Sequence, residues 1–123
     1  MIRTALFCFS TLIGMPLAMA QGFPEKPITL VQGFAAGGNA DTIARIMAQG
    51  LSRELGQPVV VEAKTGAGGN VASAAVARAR PDGYTLMQGY VATHGTSPAT
   101  RKLPYDPIKD FSPIGMIGST PNV

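Results

Sequence analysis

A chain of 123 residues with a mean hydropathy of +0.18 has room for one domain and one hydrophobic core. Ten basic and seven acidic residues leave a net charge of +3, too mild and too dispersed to point to nucleic acid or a membrane surface as partner. The single cysteine, Cys8, excludes an internal disulfide and a multi-cysteine metal site.

Residues 1–20 have the pattern of a signal peptide. Arg3 gives a basic start, residues 5–17 an apolar centre, and Ala18-Met19-Ala20 a small-residue cleavage signal before Gln21. The apolar run is too short for a membrane span and is broken by Gly14 and Pro16. Cleavage after Ala20, an exported periplasmic protein and a mature chain free of cysteine are expected.

The mature chain enters through Pro24-Glu25-Lys26-Pro27, stiffened by its two prolines. Ile28-Thr29-Leu30-Val31 has the length and branching of a buried strand. A glycine-rich turn follows, Gly33-Phe34-Ala35-Ala36-Gly37-Gly38-Asn39-Ala40-Asp41. From Asn39 or Asp41, both good helix caps, Ile43, Ile46, Met47, Gly50, Leu51 and Leu55 recur at helical spacing, and Gly56 is a good stop. Gln57-Pro58 then opens a second strand over residues 59–62, whose valine run suits a parallel strand covered on both faces. Gly66-Ala67-Gly68-Gly69-Asn70 repeats the glycine turn, and Asn70 is expected to cap an alanine-rich helix reaching Ala79. After the turn Pro81-Asp82-Gly83, residues 84–87 read as a third strand. A turn-rich connection, residues 103–111, leads to residues 113–118, which resemble a fourth strand.

This β-α-β-α-β order implies an α/β fold with a parallel sheet and right-handed crossovers. The strand C-termini then share one edge, where both glycine turns and the segment after Met87 gather. The first N–H groups of each helix lack an intrahelical partner and carry the positive end of the helix dipole. Two such ends on one edge form a receptor for a small anion. Nucleotide binding fits poorly. The second turn has Val71 where a dinucleotide loop needs Gly or Ala, and the first lacks the Lys-Ser/Thr ending of a P-loop. His94, the sole histidine, cannot hold a zinc ion alone, and no serine-hydrolase elbow accompanies it. The acids show no paired-carboxylate spacing: Asp41 supports a helix start, Asp82 a turn and Asp106 the Pro-rich connection. No catalytic residue, cofactor or metal is expected.

Six motifs in order carry a family resemblance. They are Lys26-Pro27-Ile28-Thr29-Leu30-Val31; Phe34-Ala35-Ala36-Gly37-Gly38-x-x-Asp41; Leu55-Gly56-Gln57-Pro58-Val59-Val60-Val61-Glu62; Gly66-Ala67-Gly68-Gly69-Asn70; Pro81-Asp82-Gly83-Tyr84-Thr85-Leu86; and Leu103-Pro104-Tyr105-Asp106-Pro107-x-Lys109-Asp110-Phe111. With them the mature chain resembles the Bug-type solute receptors of tripartite tricarboxylate transporters. The resemblance implies a parallel-sheet lobe of a type II periplasmic binding protein. It implies a monomeric receptor that captures small carboxylates (di- and tricarboxylates, amino acids or aromatic acids) and delivers them to two membrane subunits. Phe34, Ala35, Ala36, Gly37, Gly38, Asn39 and Asp41 would clasp a carboxylate together with Gly66, Ala67, Gly68, Gly69 and Asn70, while Thr93 and His94 line the same cleft. Members carry Gly or Thr where Asn39 stands, and they are considerably longer. Residues 21–123 are therefore expected to be the N-terminal part of a first lobe. The competing expectations are a small exported α/β enzyme acting on a carboxylated substrate, with His94 at its centre, and a non-functional remnant of a receptor gene.

Overall fold

Five β-prone residues, Ile28–Gln32, form strand β1 at the centre of a three-stranded parallel sheet. The computed structural model describes residues 22–119; the expected leader lies outside the described residues. Helix α1 follows over Asn39–Leu55, strand β2 over Val59–Ala63, helix α2 over Asn70–Ala77 and strand β3 over Thr85–Met87. The sheet order is β2-β1-β3, with Leu30 in register with Val61 on one side and Leu86 on the other. The expected β-α-β-α-β parallel architecture is present.

Helix α1 covers one sheet face. Its Ala44 and Ala48 are buried against Ile28, Leu30 and Val59, with Met47, Leu51 and Leu55 closing the sides. The small alanines let the helix backbone approach the strands closely. Ile46, placed on the buried stripe from its spacing, is instead 65% exposed, because the stripe runs through residues 44, 47, 48, 51 and 55. Gly56 ends the helix in the left-handed conformation at φ 67°, its N–H donating to Ser52 O.

Helix α2 packs on the opposite face, over β3 and β1. It buries Ala72, Ser73 and Ala74 and stops at Ala77, where Ala79 N–H already bonds back to Val76 O. Since α2 does not cover β2, Val60 is 54% exposed, and the expectation of a strand enclosed on both faces is corrected. Two further differences stand out. The loop after β3 folds into a π-helical turn, Ala92–Thr96, running into a short helix α3, Ser97–Thr100. The expected fourth strand does not form: residues 113–118 make no ladder, and Ile114 and Met116 are each 85% exposed. A strand needs a neighbour to satisfy its backbone, and no described strand lies beside this run.

Candidate functional site

All three strands are parallel, so the segments after β1, β2 and β3 leave the same sheet edge. The first and second are in backbone contact. A Cβ on Gly33 would lie 2.6 Å from Gly69 Cα, a distance only glycine permits. The third joins them at the same point: a Cβ on Gly69 would meet Thr93 Cγ2 at 2.9 Å and the Phe34 ring at 3.6 Å. Phe34 in turn stacks edge-on against Tyr90, with centroids 4.7 Å apart.

The loop after β1 is exposed from Ala35 to Asn39 but anchored from below. Gln32, fully buried at the end of β1, accepts Phe34 N–H on Oε1 at 2.7 Å and donates from Nε2 to Asp41 Oδ1 at 3.5 Å. Asp41 Oδ2 accepts Gly37 N–H at 3.0 Å and Arg45 Nε–H at 2.8 Å. The Arg45 guanidinium, then the Gly37 amide, hold this carboxyl below its ordinary range. The helix cap is Gly38, in extended conformation without a side-chain cap bond, rather than Asn39 or Asp41. Asp41 sits inside the first turn and braces the loop. Thr42 N–H is the first to meet a helix-type acceptor, Gly38 O at 3.0 Å. The N–H groups of Asn39, Ala40 and Asp41 precede it and have no intrahelical carbonyl to bond.

The loop after β2 is built from left-handed residues. Ala67, Gly68 and Gly69 have φ of 49°, 66° and 90°, and Gly66 has φ 134°. An alanine in this region is strained, so the surrounding structure must impose the turn. Gly66, Ala67 and Gly68 are exposed, whereas Gly69 and Asn70 are buried. Asn70 does not cap α2; Gly69 takes that position. Its amide reaches sideways instead, donating from Nδ2 to Ser97 Oγ at 3.2 Å and accepting from Tyr105 Oη at 2.8 Å. Tyr105 Oη also lies 2.7 Å from Thr93 O, so its single proton is shared between two acceptors.

Thr93 is fully buried. Its hydroxyl accepts Tyr90 N–H at 3.2 Å and lies 2.8 Å from His94 Nδ1. His94 is half-buried between Tyr105 and Phe111, the latter ring edge-on at 4.8 Å, and burial pushes its pKa down. The structure thus brings Phe34, Gly69 and Thr93 together, leaves Ala35, Ala36, Gly37, Gly38, Asn39, Gly66, Ala67 and Gly68 on the rim, and places Asp41, Asn70 and His94 behind it. Sequence reasoning passed over Gln32, Gln88, Tyr90, Ser97 and Tyr105. One signal was available for Gln32 and Gln88: each is a polar residue ending an apolar strand at equivalent register. Two open grooves of about 510 and 440 Å³ flank the segment 101–107; the first borders Pro98 of α3, and the second reaches Ala67 and Asn70 of the loop after β2. Neither lining includes the loop after β1.

Comparison with known proteins identifies a family. The model of the Tripartite tricarboxylate transporter family receptor matches residues 43–123. A UPF0065 protein of Agrobacterium vitis is 43% identical over 106 residues, covering 85% of this chain and 31% of the relative. Among solved structures, MatC (Rpa3494) from Rhodopseudomonas palustris with bound malate is 47% identical with a TM-score of 0.71, covering 74% of this chain and 31% of that one. R. palustris Rpa4515 with adipate is 36% identical with a TM-score of 0.66, covering 70% and 29%. The chain spans about a third of the length of the curated relatives it matches.

Proposed function

Because this chain belongs to the tripartite tricarboxylate transporter receptor family, we propose that it is a periplasmic receptor segment that captures a small carboxylate for the membrane subunits of such a transporter. In this reading residues 1–20 are a leader removed after Ala20, and residues 21–123 form the N-terminal part of a first lobe. It is a binding protein rather than an enzyme. The family and the structural neighbours are binding proteins, and the one imidazole is wedged between aromatic rings.

The observation that carries the proposal is the backbone contact of Gly33 with Gly69, which joins the two glycine loops leading into α1 and α2 at one sheet edge. Each N-terminus stabilises an anion by about 0.3–1 kcal/mol, and by ~2 kcal/mol when partly buried. Two contribute about 1–4 kcal/mol, whereas micromolar affinity requires about 8 kcal/mol. These loops alone therefore hold a carboxylate at millimolar strength at best, and the rest of the affinity must come from groups that close over the ligand.

Titration of the isotope-labelled chain with succinate, followed by amide NMR, tests this. Millimolar succinate should shift the N–H signals of residues 37–41 and 68–70, while the neutral diamide of succinic acid leaves them in place. Equal shifts with both compounds, or none with succinate, would overturn the carboxylate reading.

A further inference from the structure

Helix α2 gives the sheet only part of its surface. Ala72, Ser73 and Ala74 are buried, while Val71, Ala75 and Arg78 recur at i, i+4 and i+7 and so share another face, about 10 Å long. The segment after α3 borders that face. The groove of about 440 Å³ is lined by Val71, Ala75 and Arg78 on the helix side and by Arg101, Lys102 and Leu103 on the other. Its volume suits an occupant of a few side chains. The floor is apolar: Val71 is 48% exposed, and Ala75 and Leu103 are partly covered. Arg78, Arg101 and Lys102 are all exposed, and none pairs with a carboxylate among the described residues, whose ion pairs lie elsewhere. The adjoining groove of about 510 Å³ shares Arg101, Lys102 and Leu103, and the one acid lining it, Asp106, already accepts the N–H groups of Ile108 and Lys109.

Charge and shape together select the occupant. A membrane surface takes up apolar side chains that project from the protein, whereas these line a groove between cations. A single-stranded nucleic acid needs aromatic rings for its bases to stack on, and the 440 Å³ groove has none in its lining. A peptide with carboxylates on either side of apolar residues meets both conditions, its acids on the cations and its apolar side chains on the floor. We propose that this groove docks an acidic, partly apolar segment of a partner protein. The groove shares only Ala67 and Asn70 with the glycine loops, and its occupation does not depend on the carboxylate reading.

Fluorescence anisotropy of the purified chain with a labelled hexapeptide, Glu-Leu-Val-Glu-Leu-Asp, tests this. At about 50 mM salt the peptide should bind about tenfold more tightly than a version with amides in place of its acids, and than a version with serines in place of its apolar residues. Arg78→Gln, Arg101→Gln and Lys102→Gln combined should abolish the preference without a marked fall in thermal midpoint, since all three side chains are exposed. Ala75→Glu, which sets an acid in the floor, should weaken binding of the acidic peptide by a similar factor. Arg53→Gln, on α1 across the sheet, should leave it intact. Equal binding of the acidic and amide peptides, or a preference that survives the triple substitution, overturns the inference. Binding to phosphatidylglycerol vesicles but not to the peptide also overturns it, marking a lipid surface. So do shifts of the amide signals of residues 75, 78 and 101–103 with succinate, which mark a small-anion site. The succinate response of residues 37–41 is read separately, so the carboxylate reading stands or falls by itself.

Discussion

Tyr105→Phe removes one oxygen from the point where three segments meet. Tyr105 is 7% exposed, and its hydroxyl lies 2.8 Å from Asn70 Oδ1 at the start of α2 and 2.7 Å from Thr93 O in the π-helical turn. The substitution keeps the ring and its packing against Phe111 but leaves both acceptors short of a proton inside the protein. A buried acceptor left unmet costs about 1–3 kcal/mol. With a urea slope of about 1–3 kcal/mol/M for a domain of this size, the unfolding midpoint should drop by ~1 M. Urea denaturation followed by circular dichroism reads this directly. Tyr84→Phe is the internal control. Its hydroxyl accepts Glu25 N–H at 3.0 Å in an exposed setting, so the loss should stay within about 0.5 kcal/mol. If Tyr105→Phe is no more destabilising than Tyr84→Phe, the hydroxyl does not hold α2 to the π-helical turn, and the account of that network fails.

Two other perturbations separate steric, conformational and electrostatic causes. Gly33→Ala drives a Cβ to within 2.6 Å of Gly69 Cα, backbone against backbone, and should cost about 3 kcal/mol or more; Gly56→Ala, at φ 67° with open space around it, should cost only about 1–2 kcal/mol in the same thermal melts. His94 is held below its ordinary value of 6.5, chiefly by burial, so the unfolded chain takes up a proton that the folded chain resists. Stability should therefore be fully present above about pH 7 and decline as pH falls through the unfolded value toward the folded one; His94→Gln should flatten that slope in urea midpoints measured between about pH 5 and 8.

Much of the fold was legible because local signals agreed with one another. Residues 28–31 and 59–62 are mostly β-branched and the right length, and Gly56 and Gly83 punctuate the chain where turns need left-handed backbone. What was not legible depended on partners far along the chain. Val60 looks the same in a covered strand and in an outer one; the difference lies in where α2 docks. Residues 113–118 have strand composition, but composition cannot supply a neighbour to pair with. Asn70 has the chemistry of a helix cap, yet Ser97 and Tyr105, 27 and 35 residues away, claim its amide. At the site, glycines marked the loops directly because they are constrained by backbone shape. The glutamines beneath them went unread because their role comes from cross-strand register.

Asp41 poses the sharpest question at the rim, since a carboxylate within an anion-binding loop should repel its ligand. Its three hydrogen bonds, to Gln32, Gly37 and Arg45, give the explanation: the acid shapes the loop, and Arg45 cancels its charge. Arg45 is mostly exposed, with 63% of its side chain in solvent, and belongs to the second turn of α1, so it can be removed without disturbing the core. Arg45→Met should then leave an uncompensated negative charge beside the N–H groups of residues 39–41. Succinate binding, read from the same amide signals, should weaken by about fivefold at low ionic strength, as expected for a unit charge several ångströms away in a partly solvated setting. Raising the salt to about 0.5 M should shrink the difference in part: the ligand at the exposed rim is screened over a few ångströms, while the Asp41 side chain, 5% exposed, is screened less. Adding Asp41→Asn to Arg45→Met should recover most of the lost affinity, since the offending charge is gone while the amide retains a hydrogen-bonding oxygen for Gly37. If Arg45→Met weakens binding equally at low and high salt, or if the double substitution fails to recover it, Arg45 acts on the loop through its shape rather than through its charge.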